Sequence, residues 1–204
     1  MFVDLKALQP VKKESTRGVQ VLSSHMFLVE KYLANGEYDK TKGRMVADGR
    51  DRDPAMFPSK SSPTVAIHSV FTVLGLMAAM SWLIVVKIDI KGAFLQTPMT
   101  GGPIYMRLDP KLTHFTISLF PELKKMVDAD GCLYTWMLKA IYGCVHASAL
   151  WYLEIKKILE GLGYEASATD RCVFRRRVGE RVFLLLLYVD DILALVDQEE
   201  AERI

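Results

Sequence analysis

Cysteine is scarce in this 204-residue chain, which carries three, Cys132, Cys144 and Cys172, with no CxxC spacing. An odd, scattered set supports neither a disulfide framework nor a thiolate zinc site, and a reducing intracellular setting fits it best. An excess of one charge is lacking too. Lys and Arg number 26 against 24 Asp and Glu, so the chain has no strong overall field of the kind basic nucleic-acid-binding tails carry. Any nucleic-acid site must be local. Internal repeats and low-complexity tracts are absent. The start, Met1-Phe2-Val3-Asp4-Leu5-Lys6, shows none of the basic start, apolar run and cleavage site expected of a secretory signal. What is present is half hydrophobic and a quarter charged, which excludes disorder and collagen and allows one sizeable core or two small lobes.

One stretch, Ser61 to Val86, holds no Asp, Glu, Lys or Arg. It is long enough to span a bilayer, which needs about 20 apolar residues. The favoured reading is a buried helix followed by a buried strand. Ser62 with Pro63 forms an N-cap and first-turn pair, and His68, Ser69, Thr72 and Ser81 interrupt the apolar run. A membrane protein anchored by residues 61–86 is the minority alternative.

Along the chain, strand and helix signals alternate, which predicts an α+β fold. Arg44 to Ala47 reads as a short strand and Asp48 to Ser62 as an exposed connection. The spacing of Val65, Val70, Leu74 and Met77 predicts a helix over 63–80, and Leu83 to Ile90 reads as a central strand. Pro98 to Pro103 turns toward a short strand at 104–107, and 109–131 reads as irregular. Leu133 to Leu138 is strand-like. Ala147 to Leu162 is helical, with Leu150, Leu153, Ile158 and Leu162 on one side. A hairpin follows, Cys172 to Phe174 against Val182 to Tyr188 around an Arg-rich turn, then a strand over 192–196. Asp197 with Glu200 predicts a helix cap. The Arg175-Arg176-Arg177 run is read as a solvated hairpin tip rather than a phosphate-backbone contact.

The most informative residues are carboxylates among apolar neighbours. Asp89 falls within Leu83 to Ile90, and Asp190-Asp191 lies between Phe183 to Val189 and Ile192 to Leu195. An ionised carboxylate on a dry strand costs several kcal/mol unless a cation or hydrogen-bond donors accept it, so something positive is expected nearby. If the two strands lie side by side, Asp89 and Asp190 converge. Hard oxygen donors without His or Cys favour magnesium over zinc. Adjacent strand residues face opposite ways, so Asp190 and Asp191 cannot be equivalent, and Asp190 is the stronger ligand candidate. A tight turn is the plainer explanation of Asp190-Asp191 taken alone.

Tyr188-Val189-Asp190-Asp191 resembles the polymerase box of reverse transcriptases. Lys87-Ile88-Asp89-Ile90-Lys91-Gly92-Ala93-Phe94-Leu95 resembles the earlier aspartate motif of the copia-type retrotransposon branch. Lys42 to Ala47 resembles that branch's fingers strand, Ile104-Tyr105-Met106 its next hairpin, and Leu138 to Gly143 with Trp151-Tyr152 its template-side motif. Gly161 to Tyr164 with Asp170, Cys172 and Phe174 completes a series in family order, from about Phe27 to Val196.

The resemblance implies a right-hand polymerase fingers and palm with an antiparallel palm sheet and most of the thumb missing. It would span residues 27–204 after an N-terminal extension over 1–26. The implied activity is that of an RNA-directed DNA polymerase, a nucleotidyltransferase within a retrotransposon polyprotein. Asp89 and Asp190, with the Ile90 carbonyl, would hold two magnesium ions, manganese being a substitute, and Asp191 would be the third, supporting carboxylate. Lys42 or Arg44 would contact the triphosphate, Phe94 would gate the sugar, and Tyr142 and Gly143 would touch substrate. The implied partners are an RNA or DNA template with primer, deoxynucleoside triphosphates and the rest of the polyprotein. The setting would be cytoplasmic or a virus-like particle. One stretch departs from the family: Gly143 is followed by Cys144-Val145-His146-Ala147-Ser148-Ala149, which lacks the basic residues and proline of many copia-type enzymes. His146 is read as a surface or helix-start residue. A catalytically silent remnant that binds nucleic acid or a partner is therefore the rival reading.

Overall fold

The computed structural model describes residues 6–49 and 62–204. Most of the connection expected over Asp48 to Ser62 lies outside the described residues. Along the chain run β1 (Leu8–Val11), β2 (Val21–Tyr32), β3 (Tyr38–Ala47), α1 (Ile67–Ala79), β4 (Ile84–Asp89), α2 (Ala93–Gln96), β5 (Tyr105–Leu108) and α3 (Pro110–Leu119). Then follow β6 (Leu133–Met137), α4 (Ala147–Gly161), β7 (Glu165–Ala166), β8 (Val173–Val178), β9 (Arg181–Tyr188), β10 (Asp191–Val196) and α5 (Gln198–Arg203). Mixed α+β architecture is thus observed. The chain divides into two compact units at Ala93/Phe94 and Ala147/Ser148, the first also holding the residues up to Gly49.

In the first unit a mixed sheet runs in the order β1-β6-β5-β2-β3, with β2 and β5 parallel and the other pairs antiparallel. Its core gathers Leu22, Met106, Leu133, Met137 and Ile141, all buried. The strand expected over 44–47 is the end of a far longer hairpin, β2 with β3. Asn35-Gly36 makes its turn: Gly36 has φ +84°, and the Asn35 side-chain oxygen accepts from the Glu37 amide at 3.1 Å. Gly supplies that left-handed conformation without a Cβ penalty. The outer half of the hairpin is exposed on both faces, Phe27, Leu28 and Tyr38 included, so it has no alternating pattern to read. β1 and the start of β2 come from residues within 1–26.

The stretch over 109–131 is not irregular. Asp109 caps α3 by accepting from the Leu112 amide at 2.8 Å, Pro110 opens the helix, and a 3-10 turn spans Pro121–Met126. An Asp-Pro pair before a helix is a recognised start signal, since Pro has no amide to leave unpaired.

In the second unit a fully antiparallel sheet runs β4-β10-β9-β8-β7. α1 covers one face, where Val73 packs with Leu186 and Leu195 and is flanked by Val70, Met77, Leu184 and Leu193. Leu185 and Leu187, which point the other way, are also buried. Burial on both faces explains why β9 is a continuous leucine run. α1 is shorter than expected and does not use Ser62-Pro63 as its cap. Asp170, from far along the chain, accepts from the Ala66 amide at 3.0 Å and the Ser69 hydroxyl at 2.7 Å. Among the described residues no helix is long and apolar enough to cross a membrane; the charge-free stretch instead divides into α1 and β4. Neither is buried as expected: β4 is the edge strand of its sheet, not a central one, with Ile84, Val85 and Asp89 exposed, and α1 fully buries Val73 alone.

Two further expectations need correction. The buried stripe of α4 is Trp151, Tyr152, Ile155 and Leu159, whereas Leu153 and Ile158 are exposed. The arginine run is no hairpin tip: Arg175, Arg176 and Arg177 pair with Leu184, Phe183 and Val182 inside the β8–β9 ladder. Arg176 reaches the buried Glu200 carboxylate on α5 at 2.5 and 2.6 Å. That helix begins as expected, Asp197 accepting from the Glu200 amide at 2.9 Å.

Candidate active site

The second unit brings its three motif carboxylates to one end of its sheet. In the β4–β10 ladder Asp191 stands directly opposite Asp89, so their side chains share a face with Cα atoms roughly 4.5–5.5 Å apart. The residue directly across from Asp89 is Asp191, and Asp190, expected to converge with Asp89, lies in the adjoining turn with its carbonyl accepting from the Ile90 amide at 2.9 Å. Tyr188 is paired to Asp191 on either side of that turn.

Facing carboxylates repel, and the expected cation is present: Lys87 Nζ is 3.1 Å from Asp191 Oδ1. Lys87 precedes Asp89 by two on β4, so alternation puts it on the same face. The two side chains are about as open as a surface pair, at 69% and 42% exposed, so the bridge adds little stability and leaves the carboxylate reachable.

The turn holding Asp190 is unusual. Of the described non-glycine residues only Lys6 and Val189 have positive φ, Val189 at +56°. Positive φ at the first central residue of a two-residue hairpin turn is the type II′ form, which ordinarily takes Gly. A β-branched residue there stores about 1–3 kcal/mol of strain. Two hydrogen bonds hold the turn. Trp151 Nε1 donates to the Val189 carbonyl at 2.6 Å, and the Ile90 amide donates to the Asp190 carbonyl at 2.9 Å. Neither contact was legible in the sequence, because each joins segments far apart in the chain.

Among the described residues no group of three or more His, Cys, Asp and Glu side chains stands ready to hold a metal ion. The donors nevertheless suit a hard cation. Two opposed carboxylates with a third one residue away, and no imidazole or thiolate, match magnesium or manganese better than zinc.

The other motif residues lie in the first unit. Lys42 and Arg44 are exposed on β3, across from Val29 and Phe27, with Lys40 on the same face opposite Lys31. Phe94 and Tyr142, singled out separately in the sequence, are in contact, their rings 4.8 Å apart at 61°. Phe94 is partly buried against the first unit's core. Gly143, at φ +88°, lies so close to β3 that a Cβ would run into the Ala47 carbonyl and Val46. Beyond it, Cys144 and His146 are buried; of the two places expected for His146 it takes the helix start, directly before α4, and not the surface.

A model of the reverse transcriptase (RNA-dependent DNA polymerase) family matches residues 17–202. The retrovirus-related Pol polyprotein from transposon RE1 of Arabidopsis thaliana is 30% identical over 177 residues, covering 86% of this chain and 11% of its own length. That from transposon TNT 1-94 of Nicotiana tabacum is 32% identical over 154 residues, 74% of this chain and 10% of its own. The chain thus spans about a tenth of the length of the curated relatives it matches. The native crystal structure of prototype foamy virus protease-reverse transcriptase covers 99% of this chain and 19% of its own at 14% identity, with a TM-score of 0.43, too loose a likeness to bear on the site. The chain belongs to the reverse transcriptase (RNA-dependent DNA polymerase) family, as a polymerase domain of the copia-type Pol polyprotein kind.

Proposed function

We propose that this domain extends a primer on an RNA or DNA template, with its catalytic carboxylates at the β4 and β9–β10 end of the second unit. The observation that carries the reading is the cross-strand pair of Asp89 and Asp191 with Asp190 in the adjoining turn. In such an addition the primer 3′-hydroxyl oxygen bonds to the α-phosphorus of a deoxynucleoside triphosphate. The bond to the bridging oxygen breaks, pyrophosphate leaves and the hydroxyl proton passes to solvent. Two divalent ions, magnesium or manganese, would supply charge neutralisation at the attacking and leaving oxygens.

Asp89 and Asp190 are the ligands of choice, with the Ile90 carbonyl as a further oxygen. Asp191 is the supporting carboxylate, and its ion pair with Lys87 orients it before substrate arrives. Lys42 and Arg44, on an exposed face with Lys31 and Lys40, supply the local positive charge that a balanced composition otherwise lacks, and suit phosphate contacts. Phe94, braced by Tyr142, is the candidate sugar gate, and Tyr142 and Gly143 are candidate substrate contacts, held in place by the packing of Gly143 against the end of β3. The sheet of the second unit corresponds to the palm and the β2–β3 hairpin to fingers. The reverse transcriptase domain covers residues 27–204, with strands drawn from 1–26 paired into its first sheet. Its partners are template with primer, deoxynucleoside triphosphates and the rest of a polyprotein, in the cytoplasm or a virus-like particle.

The silent-remnant reading draws on one observation: after Gly143 the chain buries Cys144 and His146 where basic contacts would be expected. Incubating the purified chain with a primed RNA template and deoxynucleoside triphosphates, in magnesium and manganese in parallel, separates the two. Extension in either ion supports the polymerase, and template binding without extension supports the remnant.

A further inference from the structure

Trp151 is 2% exposed on α4, and its single polar atom donates to the Val189 carbonyl at 2.6 Å. That carbonyl belongs to the peptide joining Val189 to Asp190, the central peptide of the turn between β9 and β10. In a two-residue turn this peptide is the freest part. Rotating it changes ψ of the first residue and φ of the second, converting one turn type into another while the flanking strands stay paired. Here the second residue is Asp190, so the rotation would swing its carboxylate away. Val189 also holds an unfavourable φ of +56°, so the turn's own preference does not secure this geometry. The next carbonyl, that of Asp190, is secured by the Ile90 amide. Both peptides around Asp190 are therefore held, one by β4 and one by the indole.

We infer that Trp151 is a positioning residue for the polymerase reaction: its indole N–H fixes the Val189–Asp190 peptide and thereby the direction in which Asp190 presents its carboxylate. The inference rests on the reading of Asp190 as catalytic. The indole suits the task because it is a donor only, with no acceptor to offer an alternative pairing, and it is held by burial on a four-turn helix. A misplaced ligand lowers the rate of the chemical step more than it lowers substrate affinity.

The test replaces Trp151 in the full chain with 3-benzothienylalanine, which keeps the two-ring shape and puts sulfur where the N–H was. Trp151→Phe serves as a second variant and Asp190→Asn as a control. Deoxynucleotide titrations in primer extension give kcat and KM, with melting temperatures alongside. The expected result is a kcat lower by on the order of 10-fold to 100-fold in the isostere at nearly unchanged KM and melting temperature, with Asp190→Asn inactive. In the unsubstituted chain, NMR should show a through-hydrogen-bond coupling between the Trp151 indole and the Val189 carbonyl carbon.

If Asp190→Asn is inactive while the isostere keeps a kcat near that of the unsubstituted chain, the positioning role is wrong and the reading of Asp190 stands. A fall in kcat that follows a fall in melting temperature in both Trp151 variants would mean a structural role only and overturn the inference. So would absence of the coupling, even in a chain that extends no primer. If Asp190→Asn extends primers normally, the reading of Asp190 falls and the inference with it.

Discussion

Gly143 lies pressed against Ala47, the last residue of β3: the Ala47 amide donates to the Tyr142 carbonyl at 2.8 Å, and a Cβ on Gly143 would collide with the Ala47 carbonyl oxygen. The glycine is thus required twice, by its φ of +88° and by backbone meeting backbone, where nothing flexible can give way. Two stretches that the sequence offered as separate motifs, 42–47 and 138–143, are one packed junction in the first unit.

Gly143→Ala should therefore destabilise the chain by at least about 2 kcal/mol. Gly36→Ala makes the contrast. Its φ is +84°, but no heavy atom stands within 4 Å of the added Cβ, so only the conformational penalty of about 1 kcal/mol remains. Denaturant melts of the two variants check this, and equal losses would mean that the Gly143 contact is not tight.

Phe94 is both a core contact and the candidate sugar gate, and the two roles separate in one variant. Phe94→Val removes the edge contact with Tyr142 and should cost about 1–3 kcal/mol. As a gate it should also raise ribonucleotide relative to deoxynucleotide incorporation, because only the 2′-hydroxyl distinguishes the two sugars. Measuring the ratio of the two incorporation efficiencies beside a melt decides the matter. An unchanged ratio with lowered stability would leave Phe94 as a core residue.

Asp170 ties α1 to the start of β8. Burial pushes its carboxyl up, but hydrogen bonds from Ser69 and the amides of Ala66 and Cys172 outweigh this and hold it below the usual carboxylate range. A folded-state value below the unfolded one stabilises the protein above the unfolded value of about 3.9 and is lost as pH falls through the folded value. Asp170→Asn should therefore cost about 1–2 kcal/mol at neutral pH, and the gap between variant and unsubstituted chain should close below pH ~4. Melting temperatures across pH 3–7 test this, and a constant gap would contradict it.

Glu200 is held by Arg176 and by the Tyr164 hydroxyl at 2.8 Å; burial, with Glu200 beside it, keeps that phenol well above its usual value. Glu200→Leu strands Arg176 and should cost about 3 kcal/mol, whereas adding Arg176→Met should recover part of the loss. A double variant no better than the single would show the arginine to be adequately solvated alone.

How much of this was legible followed from how local each signal is. β6 and β9 could be read because their apolar residues are continuous over a whole element; β4 and α4 could be read as a strand and a helix, but not that β4 is an exposed edge strand or which side of α4 is buried. The β2–β3 hairpin could not, since Phe27, Leu28 and Tyr38 are exposed among charged residues; its Asn35-Gly36 turn was the available clue. α3 was announced by Asp109-Pro110. The carboxylates stood out because charge among leucines would be costly on a dry strand; in the structure Asp89 is exposed and Asp191 beside Lys87 is open to solvent, so that cost does not arise. The pairing of Asp191 with Asp89, the cap from Asp170 and the bond from Trp151 depend on register and tertiary approach, which no local pattern encodes.

The most direct test of the central claim is primer extension by Asp89→Asn and Asp190→Asn in magnesium, beside the unsubstituted chain and with melting temperatures recorded. Both aspartates lie at the turn end of the sheet rather than in its interior, so stability should move by no more than about 0.5 kcal/mol. Extension should fall by on the order of 100-fold or more in each variant. Near-normal extension by either one would contradict the assignment of these carboxylates as the catalytic centre.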